Sequence, residues 1–188
     1  MTKKKKIEEE PEVKEEKFFN AELIGERIIA EECDEARELY DQNRYGEQLE
    51  KKFQYSFIET LFLIERKKMK LFYNKKELTF DSFLKKATKI EPNLWVRYCV
   101  YADLRKRGYI VKTALKFGAD FRVYDRGVKP GEDHAKWIVY PIMESAVMTL
   151  YEFSAKNRVA HSTRKRLLLA VVDEEGDCTF YEVKWIRP

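Results

Sequence analysis

In the stretch FRVYDRGVKPGEDHAKWIV, residues 121–139, two side chains are of a type that does chemistry: Tyr124 and, ten residues later, His134. The chain has two histidines, and this one sits among the Gly, Pro, Asp and Lys of an exposed loop. No Ser or Cys stands beside it as a nucleophile. Ser162 and Thr163 follow the other histidine, His161, but a Ser-Thr pair at a helix end is ordinarily a cap, and His161 reads as structural. A metal centre needs several converging ligands, and neither histidine has a ligand-type residue at i+3 or i+4, so no metal and no cofactor is expected. RGVKPGE has the spaced glycines of a phosphate loop without its Lys-Ser/Thr ending.

One reaction class needs no protein nucleophile, namely RNA cleavage through the substrate's own 2′-hydroxyl, which lies beside the scissile phosphorus. The protein then removes one proton, donates another to the leaving 5′-oxygen and stabilises charge on the phosphorane. Histidine, with a pKa of about 6.5, performs either proton transfer at neutral pH. Tyrosine, near 10, serves as a base only where cations favour the phenolate. Arg122, Arg126 and Lys165 are the candidates for that. A lysine also offsets developing phosphoryl charge. DNA has no 2′-hydroxyl and is excluded. A lone loop histidine is nonetheless ordinarily a surface residue, so the residues alone leave this as one reading among several.

The elements that must position these residues have their own signals. PNLWVRYCVYADLRKRG (92–108) carries Trp95, Tyr98, Cys99 and Leu104 at helical spacing, Pro at its start and Gly108 after its end. YIVKTA, FRVYD, AKWIVYPI, RLLLAVVD and CTFYEVKWI read as strands, with DEEGD (173–177) as a turn before the last. TLYEFSAKNRVAHS (149–162) opens with a capping box, Thr149 and Glu152, and SFIETLFLIERKKM (56–69) with another, Ser56 and Glu59. Upstream, AELIGERIIAEE reads as a hairpin about Gly25. CDEARELYDQNRYG reads as a helix stopped by Gly46. KKFQYSF and KLFYN read as strands. TFDSFLKKATKI reads as a helix capped by Asp81 or Ser82. The fold class expected is α/β: an α+β N-terminal domain (18–91) and a C-terminal catalytic domain (92–188) whose mixed sheet is flanked by helices.

Composition narrows the classes. Residues 1–17 hold six Lys and six Glu and read as a disordered charged tail. No apolar run approaches the roughly 18 residues of a membrane span. No apolar signal core follows the basic start, so no membrane association is expected and the location expected is cytoplasmic. Cys33, Cys99 and Cys178 form neither a disulfide framework nor a zinc signature. The net charge is +4, yet residues 105–166 hold 14 Lys and Arg against 6 Asp and Glu, leaving the rest at a net −4. A basic segment in a nearly balanced chain suggests a polyanionic partner, although a solvated surface has the same composition.

Three blocks carry a family resemblance: RGYIVKTALKFGADFRVYDRG, DHAKWIVYPI and RVAHSTRKRLLLAVVDEEGD. In that order and at those separations they closely resemble the catalytic half of archaeal tRNA-splicing endonucleases, the tRNA-intron lyases. The resemblance runs from about Pro92 to Pro188, and residues 20–90 resemble the family's N-terminal domain more loosely. It implies Tyr124 as general base on the 2′-hydroxyl, His134 as general acid and Lys165 as stabiliser of the transition state. The products would be a 2′,3′-cyclic phosphate and a 5′-hydroxyl, without metal. It implies that Arg158 grips a bulge nucleotide at a neighbouring subunit's site, while the family's second such arginine has no motif here. The implied partner is precursor tRNA, cut at bulge-helix-bulge junctions. The implied assembly is a homotetramer that docks through the acidic loop Asp173–Asp177 and meets through the last strand. The alternatives are the catalytic subunit of a heterotetramer, or a non-catalytic RNA-binding scaffold of the same fold.

Overall fold

The computed structural model describes residues 17–114, 116, 118–128 and 134–186. The charged tail expected at 1–17 therefore lies outside the described residues apart from Lys17, as does segment 129–133 of the loop before His134.

In the first half, β1 (Phe19–Ile24) and β2 (Arg27–Glu31) form a hairpin about Gly25, whose φ of 61° suits a residue without a Cβ. Strict alternation sends Phe19, Ala21 and Leu23 inward and Asn20, Glu22 and Ile24 outward. Helix α1 (Asp34–Asn43), strands β3 (Glu47–Leu49) and β4 (Lys52–Tyr55), helix α2 (Phe57–Glu65), strands β5 (Met69–Tyr73) and β6 (Lys76–Leu78), and helix α3 (Phe80–Ala87) follow. The sheet order is β3-β4-β2-β1-β5-β6, parallel between β1 and β5 and otherwise antiparallel.

The box expected at α2 is present, with Ser56 and Glu59 satisfying each other's backbone N–H. Two expected punctuation marks differ. Arg44, not Gly46, is the left-handed residue that ends α1. Gly46 is required by packing instead, since a Cβ there would lie 2.9 Å from the Tyr55 ring. Thr79, not Asp81 or Ser82, caps α3 by accepting from Ser82 N.

In the second half, α4 (Leu94–Lys106) starts two residues after Pro92 and is followed by Gly108 at φ 88°. Next come β7 (Ile110–Ala114), β8 (Ala119–Tyr124), β9 (Trp137–Met143), α5 (Leu150–Ser162), β10 (Arg166–Val172) and β11 (Cys178–Val183). Their sheet runs β11-β10-β9-β8-β7 and is antiparallel except between β9 and β10, the pair that α5 connects. The expected class, α/β with mixed sheets, is the one observed.

Alternation divides this sheet between two helices. Val111, Phe121, Val123, Val139, Leu168 and Ala170 share the apolar cluster of α4. Ile138, Tyr140 and Leu167 on the opposite face meet Ala160 of α5. The α4 cluster runs unbroken into the first half, where the Phe62 ring of α2 meets Tyr101 of α4 edge-on at 5.8 Å. Lys112 of β7 reaches across as well, donating to Gly46 O at 3.1 Å. No described helix is long and apolar enough to cross a membrane.

Candidate active site

Because β8 is antiparallel to β9 and β9 is parallel to β10, the C-terminal end of β8 and the N-terminal starts of β9 and β10 lie at one end of the sheet. Lys136 N donates to Val123 O at 2.8 Å and Arg166 N to Lys136 O at 3.0 Å, so the three chain segments are stitched together at that end. Tyr124 is the last residue of β8, His134 stands three residues before β9, and Lys165 is the residue before β10. Residues separated by 10 and by 31 positions in the sequence thus come to the same end of the sheet.

Tyr124 is only 4% exposed and packs with Ile110 and Ala135. It lies two residues after Arg122, which is paired with Ile138, so both belong to the α5 face. The Arg122 guanidinium carbon is 6.0 Å from the Tyr124 ring centroid, and its buried Nε has no hydrogen-bond partner. Of the cations singled out in the sequence, Arg122 therefore lies beside the Tyr124 ring. Arg126 instead lies over the Tyr109 ring at 5.3 Å. Asp125 and Lys136 close the base of the loop with an ion pair of 3.1 Å. His134 is exposed.

Lys165 is set by the end of α5. Its N–H donates to Ala160 O at 2.8 Å and its Nζ to Thr163 O at 2.9 Å, after the left-handed Arg164 at φ 55°. The terminal carbonyls of a helix favour a cation there. Two residues before Leu167, Lys165 shares the α5 face with Tyr124. Adjacent strands are about 4.8 Å apart, so the two approach the site across two strand spacings, roughly 10 Å.

Arg158 is exposed on α5 and does not join this cluster. It lines an open groove with Tyr151, Phe153, Asn157, His161 and Trp185. The His161 and Trp185 rings meet at a tilt of 54° with centroids 4.8 Å apart. His161 is expected to be structural, and the strand expected over CTFYEVKWI ends at Val183, which leaves Trp185 outside it. Its position after the last strand carries no periodic signal, and only the fold brings it to α5.

No thiol competes as a nucleophile. Burial raises all three thiols, Cys99 to about 11 and Cys178 to about 12, so all are protonated at neutral pH. Among the described residues no group of three or more His, Cys, Asp or Glu is arranged to hold a metal ion.

Two family models match the chain: the tRNA intron endonuclease N-terminal domain over residues 19–84 and the tRNA intron endonuclease catalytic C-terminal domain over residues 94–180. A tRNA-splicing endonuclease of Methanothermobacter thermautotrophicus is 41% identical over 166 residues, 88% of this chain and 96% of that protein. One from Thermococcus onnurineus is 38% identical over 165 residues, 88% of this chain and 95% of that protein. One from Nanoarchaeum equitans is 43% identical over 137 residues, 70% of this chain and 88% of that protein.

Proposed function

This chain belongs to the tRNA intron endonuclease family, and on that premise we propose that it is a tRNA-splicing endonuclease cutting precursor tRNA at bulge-helix-bulge junctions. The observation that carries the reading is the meeting of Tyr124, His134 and Lys165 at one end of the sheet with no protein nucleophile among them. Tyr124, beside Arg122, takes the proton of the 2′-hydroxyl. The oxygen attacks the adjacent phosphorus, and its bond to the 5′-oxygen breaks as His134 protonates that leaving group. Lys165 offsets the charge on the phosphorane oxygens. The products are a 2′,3′-cyclic phosphate and a 5′-hydroxyl. The step moves two protons and needs no metal.

Arg158 belongs to recognition, where its guanidinium and the neighbouring Trp185 ring offer flat partners to an unstacked bulge base. The division of labour follows the two halves, 18–91 supporting and 92–188 catalysing. Two bulges call for two sites at a fixed spacing, which a homotetramer provides. The substrate puts the enzyme in the cytoplasm.

The test is cleavage of a bulge-helix-bulge RNA by the purified chain in EDTA, with the ends mapped. Cyclic phosphate and 5′-hydroxyl ends are expected. Tight RNA binding without cleavage would identify a scaffold, and cleavage that EDTA abolishes would overturn the metal-independent mechanism.

A further inference from the structure

Glu182 is on β11, two strands from β9, and its carboxylate touches one residue on β10 and one on β9. Oε2 accepts the indole N–H of Trp137 at 2.8 Å, and Arg166 Nη1 donates to the two oxygens at 3.2 and 3.3 Å. Lys184 Nζ stands 3.7 Å away. The register accounts for the reach. Trp137 is directly opposite Arg166, and Glu182 is opposite Leu168, a diagonal step from Arg166 on the α4 face. One carboxylate therefore clips three strands together at the end where the candidate site lies. The Trp137 hydrogen bond, with the Arg166 charge behind it, holds the Glu182 carboxyl below the ordinary range, so the clip is ionised at neutral pH.

Neither clipped residue faces the site, but each is covalently next to a segment that does. Arg166 follows Lys165, and alternation sends the two to opposite faces. Trp137 begins β9, three residues after His134. We propose that Glu182 is a positioning residue for this site. By holding Trp137 and Arg166 on the α4 face, it fixes the first residues of β9 and β10 and so the directions in which His134 and Lys165 leave the sheet. The proposal rests on the functional reading above. Exposed ion pairs contribute little to global stability, whereas a displaced catalytic group slows a reaction strongly. The consequence therefore falls on rate rather than on melting.

The experiment compares the full chain with its Glu182→Ala and Glu182→Gln variants in single-turnover cleavage of saturating bulge-helix-bulge RNA. Binding, oligomeric state and backbone amide exchange are measured in parallel. Glu182→Ala is expected to cleave about tenfold more slowly with affinity and assembly unchanged. Glu182→Gln, which keeps an acceptor for the indole, recovers most of the rate. Trp137→Phe reproduces the loss, and adding Glu182→Ala to it takes away nothing further. A wild-type rate in Glu182→Ala, or a loss that only follows weaker RNA binding or altered assembly, overturns the proposal. Exchange reads the clip independently of chemistry. Faster exchange confined to the starts of β9 and β10 supports it even if the parent chain fails to cleave, a result that would sink the functional reading alone. Unchanged exchange in Glu182→Ala overturns the clip.

Discussion

Tyr124, His134 and Lys165 differ in how firmly the protein holds them, and that orders what their loss should do. Tyr124 is buried at a strand end, Lys165 is tied to the end of α5 through both its backbone and its Nζ, and His134 is exposed on the approach to β9. His134→Ala removes a proton donor and little packing, so cleavage is expected to fall by about 10²–10⁴-fold while RNA binding and melting stay as they were. Single-turnover rates beside a binding isotherm check this, and an unchanged rate rules His134 out as the acid. Lys165→Met keeps the alkyl stem and removes the charge, with an expected loss of about 10²–10³-fold. A comparable fall in affinity instead would make Lys165 a binding residue. The residues by themselves made the types legible here but not their meeting, which only the family resemblance implied. Tyr124 and His134 stood out as a pair because they stand ten residues apart about one loop. Lys165 stood beside an unrelated histidine, and only the parallel pairing of β9 with β10 brings it to the other two. Arg126, an equal candidate with Arg122 by proximity in sequence, turns to Tyr109, because β8 ends at Tyr124 and Arg126 lies in the turn beyond it, where alternation no longer holds.

Elements announced by local chemistry were the legible ones. Both capping boxes are where Ser-x-x-Glu and Thr-x-x-Glu put them, since the bonds join residues three apart and depend on nothing else. The three-residue strands β3 and β6 had no visible period, and they exist because longer neighbours extend a ladder to them. Glu59 links the two kinds of information. It closes the α2 box by accepting from Ser56 N at 3.1 Å, accepts from Gly46 N at 3.1 Å, and stands 3.6 Å from Lys112 Nζ of β7. One capping carboxylate thus joins the first half of the chain to the strand next to Tyr124. Its side chain is 12% exposed and that of Lys112 20%, so removing it leaves a poorly solvated cation and orphaned N–H groups. Glu59→Ala is expected to destabilise the fold by about 3 kcal/mol, a fall in Tm of about 6–12 °C. Adding Lys112→Met should return part of that loss, because the stranded charge goes with it. Thermal and denaturant unfolding of the single and double variants decide the point, and simple additivity would mean that Glu59 acts only as a cap.

At the scale of the whole molecule, the surface left uncovered is the guide to assembly. Helix α5 buries one residue, Ala160, of its thirteen, while Leu150 is 83% exposed, Tyr151 77% and Ile186, just beyond β11, 76%. β11 is also an edge strand, with one side of its ladder unpaired. Apolar side chains beside an open edge make a self-complementary surface, suited to a twofold contact between two copies. A closed tetramer needs a second, different contact, and the acidic turn at the other end of β10 is the candidate. There Asp173 is already engaged within the turn, its Oδ1 accepting from Asp177 N at 2.8 Å, while Glu174, Glu175 and Asp177 are exposed. Gly176 rests against Cys99 and Trp95 of α4, which holds the turn in place. Asp173→Ala would therefore loosen the turn as well as remove charge, and the clean variant is Glu174→Lys with Glu175→Lys. Light scattering of the parent chain is expected to give the mass of four 22.6 kDa copies. Leu150→Glu with Ile186→Glu should remove the twofold contact. The turn variant should stop at two copies while melting like the parent, and it should lose cleavage if the docked turn is needed to hold the paired sites in place. A turn variant that stays tetrameric would refute docking through the acidic loop, and a monomeric parent chain would exclude the homotetramer altogether.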